Sequence, residues 1–185
     1  MLIMDFLRKH WYDLGGLLIL PVAAYLAFSP GMGLYDRIVW LSLISLFLHQ
    51  LEEYRVVGTF PGMINHAMFH SERPDRYPLN TNTSLIINVA IGWSGYFLAA
   101  LLGTQAVWLG IASILVSLGN IVAHTIIFNI KGRTFYNAGM ATSWLFLAPL
   151  VYLFFRVVHQ EHLATAMDYW IGIPLGILIN VFGVL

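Results

Sequence analysis

Cysteine is absent from the 185-residue chain. That excludes a disulfide framework, a thiolate nucleophile and a cysteine-ligated metal, so any metal here must be held by nitrogen and oxygen. Charge is scarce as well: 10% of residues are Asp, Glu, Lys or Arg, against about 25% in a soluble domain. The formal net charge is zero, which argues against nucleic acid as a partner. No internal repeat and no low-complexity tract interrupts the chain. What is abundant is apolar surface, with 59% hydrophobic residues and a mean hydropathy of +0.76. This composition predicts an all-α, polytopic transmembrane helical bundle, a single integral membrane domain over 1–185.

Six apolar segments are expected to span, at about 11–28, 37–57, 83–102, 106–130, 137–158 and 169–185. Arg8 and Lys9 precede the first, as in a signal peptide, but no small-residue cleavage site follows, so it reads as a retained span. Pro21, Pro149 and Pro174 fall inside spans and predict kinks, not breaks. The connections are short except for 58–82, a long loop in which 62–70 is the candidate for a short interfacial helix. An even number of spans places both termini on one side. That side receives Arg8, Lys9, Arg55, Arg73, Arg76, Lys131 and Arg133, and the other only Arg37 and Arg156. The positive-inside rule therefore predicts cytoplasmic termini, in a cytoplasmic membrane, with the 58–82 loop also cytoplasmic.

The second span carries an anomaly. After Arg37 its apolar run, IVWLSLISLFL, covers only 11 residues. At about 1.5 Å per residue that falls far short of a ~30 Å hydrocarbon core. To cross, the helix must continue through His49-Gln50-Leu51-Glu52-Glu53. A central acidic group costs ~2.5–3.5 kcal/mol on insertion scales, so a partner, a metal or a catalytic water is expected nearby. His49 shares one helix face with Glu52 and Glu53, at i+3 and i+4. On the fourth span Asn120 and His124 are i,i+4. Asn88 on the third span, and Tyr136, Asn137 and Thr142 at the start of the fifth, fall in the same cytoplasmic leaflet. Four spans thus deliver polar groups to one slab, and the second and fourth are expected to face each other across a small polar cavity.

Two imidazoles and one or two carboxylates make up the set used by catalytic zinc and ferrous sites. The expected division makes His49, His124 and one glutamate ligands of a divalent metal (Zn, or Fe/Mn). The other of Glu52 and Glu53 is left as base, with Asn120 as an orienting or oxyanion-stabilising group. A bridged di-iron centre needs more glutamates than this chain buries. His66 and His70, i,i+4 in the long loop, are secondary candidates for a further ligand or a cap. Metal-free chemistry is also open: a glutamate can activate water directly, as in the glutamate-dependent intramembrane proteases, whose motif spacing this chain does not reproduce. Quieter readings exist for the same residues. Glu52 and Glu53 can pair with Arg55, Lys131 or Arg133, His124 can be a packing histidine, and Asn88 and Asn120 can be interhelical glue.

With these residues assembled, the chain resembles the bacterial and archaeal membrane family named for its H-x-x-E-E motif. His49-Gln50-Leu51-Glu52-Glu53 supplies that motif, and Asn120-Ile121-Val122-Ala123-His124 supplies N-x-x-x-H. Tyr136-Asn137-Ala138-Gly139-Met140-Ala141-Thr142 is similar to its Tyr-x-Pro-Gly-x-x-Thr element, with Ala138 where proline is usual. The resemblance supports these positions as a site and implies no particular reaction. The expectation is a membrane-embedded, metal-dependent hydrolase acting on a hydrophobic or lipid substrate, with the bilayer as its surroundings. The alternatives are an ion- or proton-coupled carrier built on the Glu52/Glu53 pair, a metal-free glutamate hydrolase, and a structural or partner-binding membrane subunit. No pattern specifies an oligomeric state.

Overall fold

The computed structural model describes residues 2–184, and every regular element among the described residues is helical. We label the helices α1 (Leu2–Ala27), α2 (34–56), α3 (Phe60–Ala67), α4 (81–102), α5 (107–132), α6 (Met140–Gln160) and α7 (Ala166–Gly183). The expected segments recur with small shifts; the last of them ends on Leu185, outside the described residues. Helix α1 starts well before position 11, because the polar turn ahead of the apolar run is itself helical. There Arg8 donates to Asp5 at 3.1 Å, an i,i+3 pair that a helix brings together.

Among the described residues, three helices are long and apolar enough to cross a membrane: Thr81–Gly132, Met140–Gln160 and Ala166–Gly183. The first is interrupted by a 3-10 turn at Gly103–Ala106, after which α5 packs back along α4. The outward faces of the helices carry large apolar side chains, among them Leu17, Leu20, Leu101, Leu145, Trp170 and Phe182. Such a surface is foreign to water and suits lipid.

Helix α2 is central and packs against α1, α4 and α6, while α7 lies along α5. One apolar core joins Ile38, Leu43, Ile111, Ile114 and Phe154 of α2, α5 and α6. A second, smaller one joins Phe60 and Ile64 of α3 to Ala123 and Phe128 of α5 and to Ala138. The short helix expected over 62–70 is present and is displaced by a few residues to Phe60–Ala67. Its fully buried Asn65 holds the long loop: Nδ2 donates to the carbonyls of Pro74 and Leu79, each at 2.8 Å, and Oδ1 accepts from the Leu79 amide at 2.8 Å.

The long helices are not uniformly α-helical. Wider π turns interrupt α2 at Glu52–Val56, α5 at Ala123–Ile127 and α6 at Ser143–Leu147. Each holds or adjoins a residue singled out by the polar pattern. An extra residue in a turn re-aims the side chains around it, which is why such turns gather at functional sites.

Candidate metal centre

Helices α2 and α5 turn their polar faces toward each other. His49, Glu53 and His124 are buried, and one ligand atom of each lies within 4.8 Å of the others. Glu53 Oε1 is 3.2 Å from His124 Nε2 and 3.5 Å from His49 Nε2. The imidazole rings stand nearly perpendicular, with centroids 4.8 Å apart. Phe60 stacks on His124 from one side and Phe128 meets it edge-on, so the ring has little room to turn.

The far side of each imidazole decides its protonation. His124 Nδ1 is 2.6 Å from Asn137 Oδ1. Asn137 is oriented by its own amide, whose Nδ2 donates to the His124 carbonyl and to Asn129 Oδ1, both at 2.8 Å. An amide oxygen only accepts, so His124 Nδ1 carries the proton and donates. His49 Nδ1 is 2.9 Å from Thr142 Oγ1. The single hydroxyl proton of Thr142 is directed to Glu52 Oε2 at 2.6 Å, so its oxygen accepts from His49 Nδ1–H. With Nδ1 the donor in each ring, the neutral form of either imidazole presents an Nε2 lone pair to Glu53. Neither Nε2 has a hydrogen-bond partner. Two imidazole lone pairs and a carboxylate oxygen would repel one another when packed together, and a cation at their centre, or a proton on one of the three, removes the conflict.

The adjacent glutamates do different things. Glu52 Oε1 accepts from Tyr136 Oη at 2.6 Å and from the Ala141 amide at 3.2 Å. Its Oε2 accepts from the Thr142 amide at 2.8 Å as well as from the Thr142 hydroxyl. With four donors on it, Glu52 is a clamp on the start of α6. Glu53, and not Glu52, places a carboxylate oxygen against both imidazoles in this arrangement. The bond to Glu52 raises the Tyr136 hydroxyl from its ordinary value of 10.0 to about 12, so Tyr136 is a fixed donor at neutral pH. Neither glutamate pairs with Arg55, Lys131 or Arg133 among the described residues; Arg55 pairs with Asp13 at 3.3 Å.

Gly139, which falls in the element similar to Tyr-x-Pro-Gly-x-x-Thr, is a structural component of the site. Its φ is +102°, a conformation other residues avoid, and a Cβ there would collide with Cε1 of both His124 and His49. The backbone thus forms the floor on which both rings rest. The signal for it is local: a glycine between Asn137 and Thr142, the two residues that orient the histidines.

The remaining candidates fall in two places. Asn120 lines a cavity with His49 and Glu53, and its Nδ2 donates to Val116 O on its own helix at 3.0 Å. Asn88 lines the same cavity and belongs to a polar chain on its wall: it accepts from Gln50 Nε2 at 3.0 Å, and Gln50 Oε1 accepts from Trp93 Nε1 at 2.7 Å. Gln50, buried between the motif residues, is missed by motif reading because its chemistry is only to receive and pass on hydrogen bonds. His66 and His70 are exposed and do not belong to the cluster. The reason is Asn65, which occupies the inward face of α3 and leaves its neighbour His66 facing out.

The family model for proteins of unknown function with an HXXEE motif matches residues 40–154. The match covers more than half of the chain and runs from α2 into α6, including every residue of the cluster and its orienting partners. The chain belongs to the HXXEE family. No curated protein and no solved structure matches it.

Proposed function

We propose that this member of the HXXEE family is a membrane-embedded, metal-dependent enzyme of hydrolase type whose substrate is hydrophobic or a lipid. The observation that carries the reading is the convergence of His49 Nε2, His124 Nε2 and Glu53 Oε1, three buried atoms able to serve as ligands, with both imidazole Nε2 atoms lacking a hydrogen-bond partner. Two imidazoles and a carboxylate with space beside them match the donor set of catalytic zinc and ferrous centres. Bound there, a divalent ion (Zn, or Fe/Mn) supplies Lewis acidity and acidifies water.

The protein's own residues supply the rest. Thr142 and Asn137 hold the imidazoles in the tautomer a metal requires, and such outer partners raise the basicity of their ligands. Glu52 holds Thr142 and the first turn of α6. Asn120 faces the cavity beside the cluster, where an oriented amide is suited to hold a substrate carbonyl. The membrane setting is supported by the apolar helices and their apolar outward faces. Within it we place six passes, both termini and the 58–82 loop on the cytoplasmic side, and the cluster in the inner leaflet.

Elemental analysis of detergent-purified protein tests the reading. Wild type is expected to hold near-stoichiometric zinc, iron or manganese, and Glu53→Gln and His124→Ala to lose at least about tenfold of it. Wild-type protein that is folded, monodisperse and free of metal would overturn the proposal. If liposomes of such protein conducted protons in a Glu53-dependent way, the carrier reading would replace it.

A further inference from the structure

A cavity of about 230 Å³ runs from the cluster to the space between α4 and α7. Its inner end is formed by His49, Glu53 and Asn120, and its walls by Leu46, Val116, Ile87, Ile179 and other mostly apolar side chains, with Gln50, Asn88, Thr83 and the hydroxyls of Tyr54 and Tyr96 as the polar exceptions. Among the described residues, three lining side chains are exposed: Phe69 of the 58–82 loop at 46%, Ile91 of α4 at 40% and Phe182 of α7 at 79%. All three are apolar. A mouth that admitted substrate from water would carry polar groups at its rim, as clefts on soluble enzymes do.

The geometry of the two bordering helices explains why the gap exists. Helix α7 is drawn onto α5, not α4. Asn180 Nδ2 donates to the Leu115 carbonyl of α5 at 3.0 Å, and Gly172 and Gly176 leave α7 backbone against Trp108 and Leu115. Opposite α4, Gly183 presents no side chain to Ile87, and at Gly92 a Cβ would lie in ordinary contact with Gln50 and Leu46, so the absent side chain leaves room for about one methyl group there. The result is a slot between two apolar helices that ends at His49 and Glu53 of the cluster, beside Asn120.

We propose that this slot is a lateral entrance that takes one acyl chain of a bilayer lipid and brings the carbonyl end of that chain to the His49–Glu53–His124 cluster. The proposal rests on the enzymatic reading above and names its substrate class. Size supports one chain and not a whole lipid: ordinary ligand pockets run to about 300–1,000 Å³, and this cavity is smaller. The apolar rim supports a bilayer source over a chain delivered through water.

Photolabelling in vesicles tests it, with a phosphatidylglycerol bearing a diazirine midway along one acyl chain as the probe. Lipid at the outer surface labels every outward face, so the informative peptides are those holding Leu46, Val116 and Asn120, which are buried from bulk lipid. Wild type is expected to carry label there, and Gly92→Phe, which fills the slot, to lose about tenfold of it. Ile91→Glu places a charge at the rim without touching the packed interior and is expected to lower the same signal. Metal content is read on the same samples. Buried label without metal would leave the slot standing and sink the enzymatic reading; metal without buried label would do the reverse. Label confined to outward faces in wild type, or buried label unchanged in both variants, overturns the proposal.

Discussion

At the scale of single residues, one hydroxyl carries much of the account. Thr142 donates to Glu52 and accepts from His49, so its oxygen sets which imidazole nitrogen is free. Thr142→Val keeps shape and removes the hydroxyl. It is expected to weaken metal binding about 10- to 100-fold, the usual effect of losing an outer partner, while Thr142→Ser retains it. A metal titration by calorimetry or competing chelator reads the difference, and equal affinity in all three proteins would show that Thr142 does not orient His49. The pairing of His49, Glu53 and His124 was open to sequence reading, because i,i+4 spacing fixes a shared helix face and charge in an apolar run demands compensation. The division of labour between Glu52 and Glu53 was not. Neighbours on a helix point about 100° apart, and which of them faces α5 depends on packing. Asn65 and Gln50 stayed hidden for a related reason: a buried amide shows its importance only once its partners are known.

At the scale of elements, the helices and their order follow from apolar length and turn residues, and the structure moves their ends by only a few positions except at the start of α1, which lies at Leu2 and not near 11. The π turns could not be foreseen, since a run of apolar residues has the same composition in a wide turn as in a regular one. Close approach of α7 to α5 was equally silent, although small residues permit it. A Cβ on Gly172 would meet the Trp108 carbonyl at 2.5 Å and Ile111 Cβ at 2.9 Å, and backbone cannot step aside. Gly172→Leu is therefore expected to pry the two helices apart at a cost of about 1–3 kcal/mol. Because the cluster sits on α2 and α5, its metal content should persist. Thermal unfolding in detergent checks this, and an unchanged midpoint would mean that the contact is not close.

At the scale of the whole molecule, the bundle places a buried polar cluster within apolar cores and behind an apolar exterior, and the proposed orientation in a bilayer rests on seven basic residues set against two. A fluorescent-protein fusion at the C-terminus is expected to fluoresce and an alkaline-phosphatase fusion there to be inactive, the signature of a cytoplasmic end. The opposite pair of results would place the cluster in the outer leaflet.

The central claim is that two imidazoles and one carboxylate jointly hold a cation. X-ray absorption at the edge of the metal that co-purifies measures this most directly. The account predicts two histidine scatterers and oxygen at about 2.0–2.2 Å, with one histidine lost in His124→Ala. Folded protein with no metal, or a metal whose shell contains no imidazole, would contradict it.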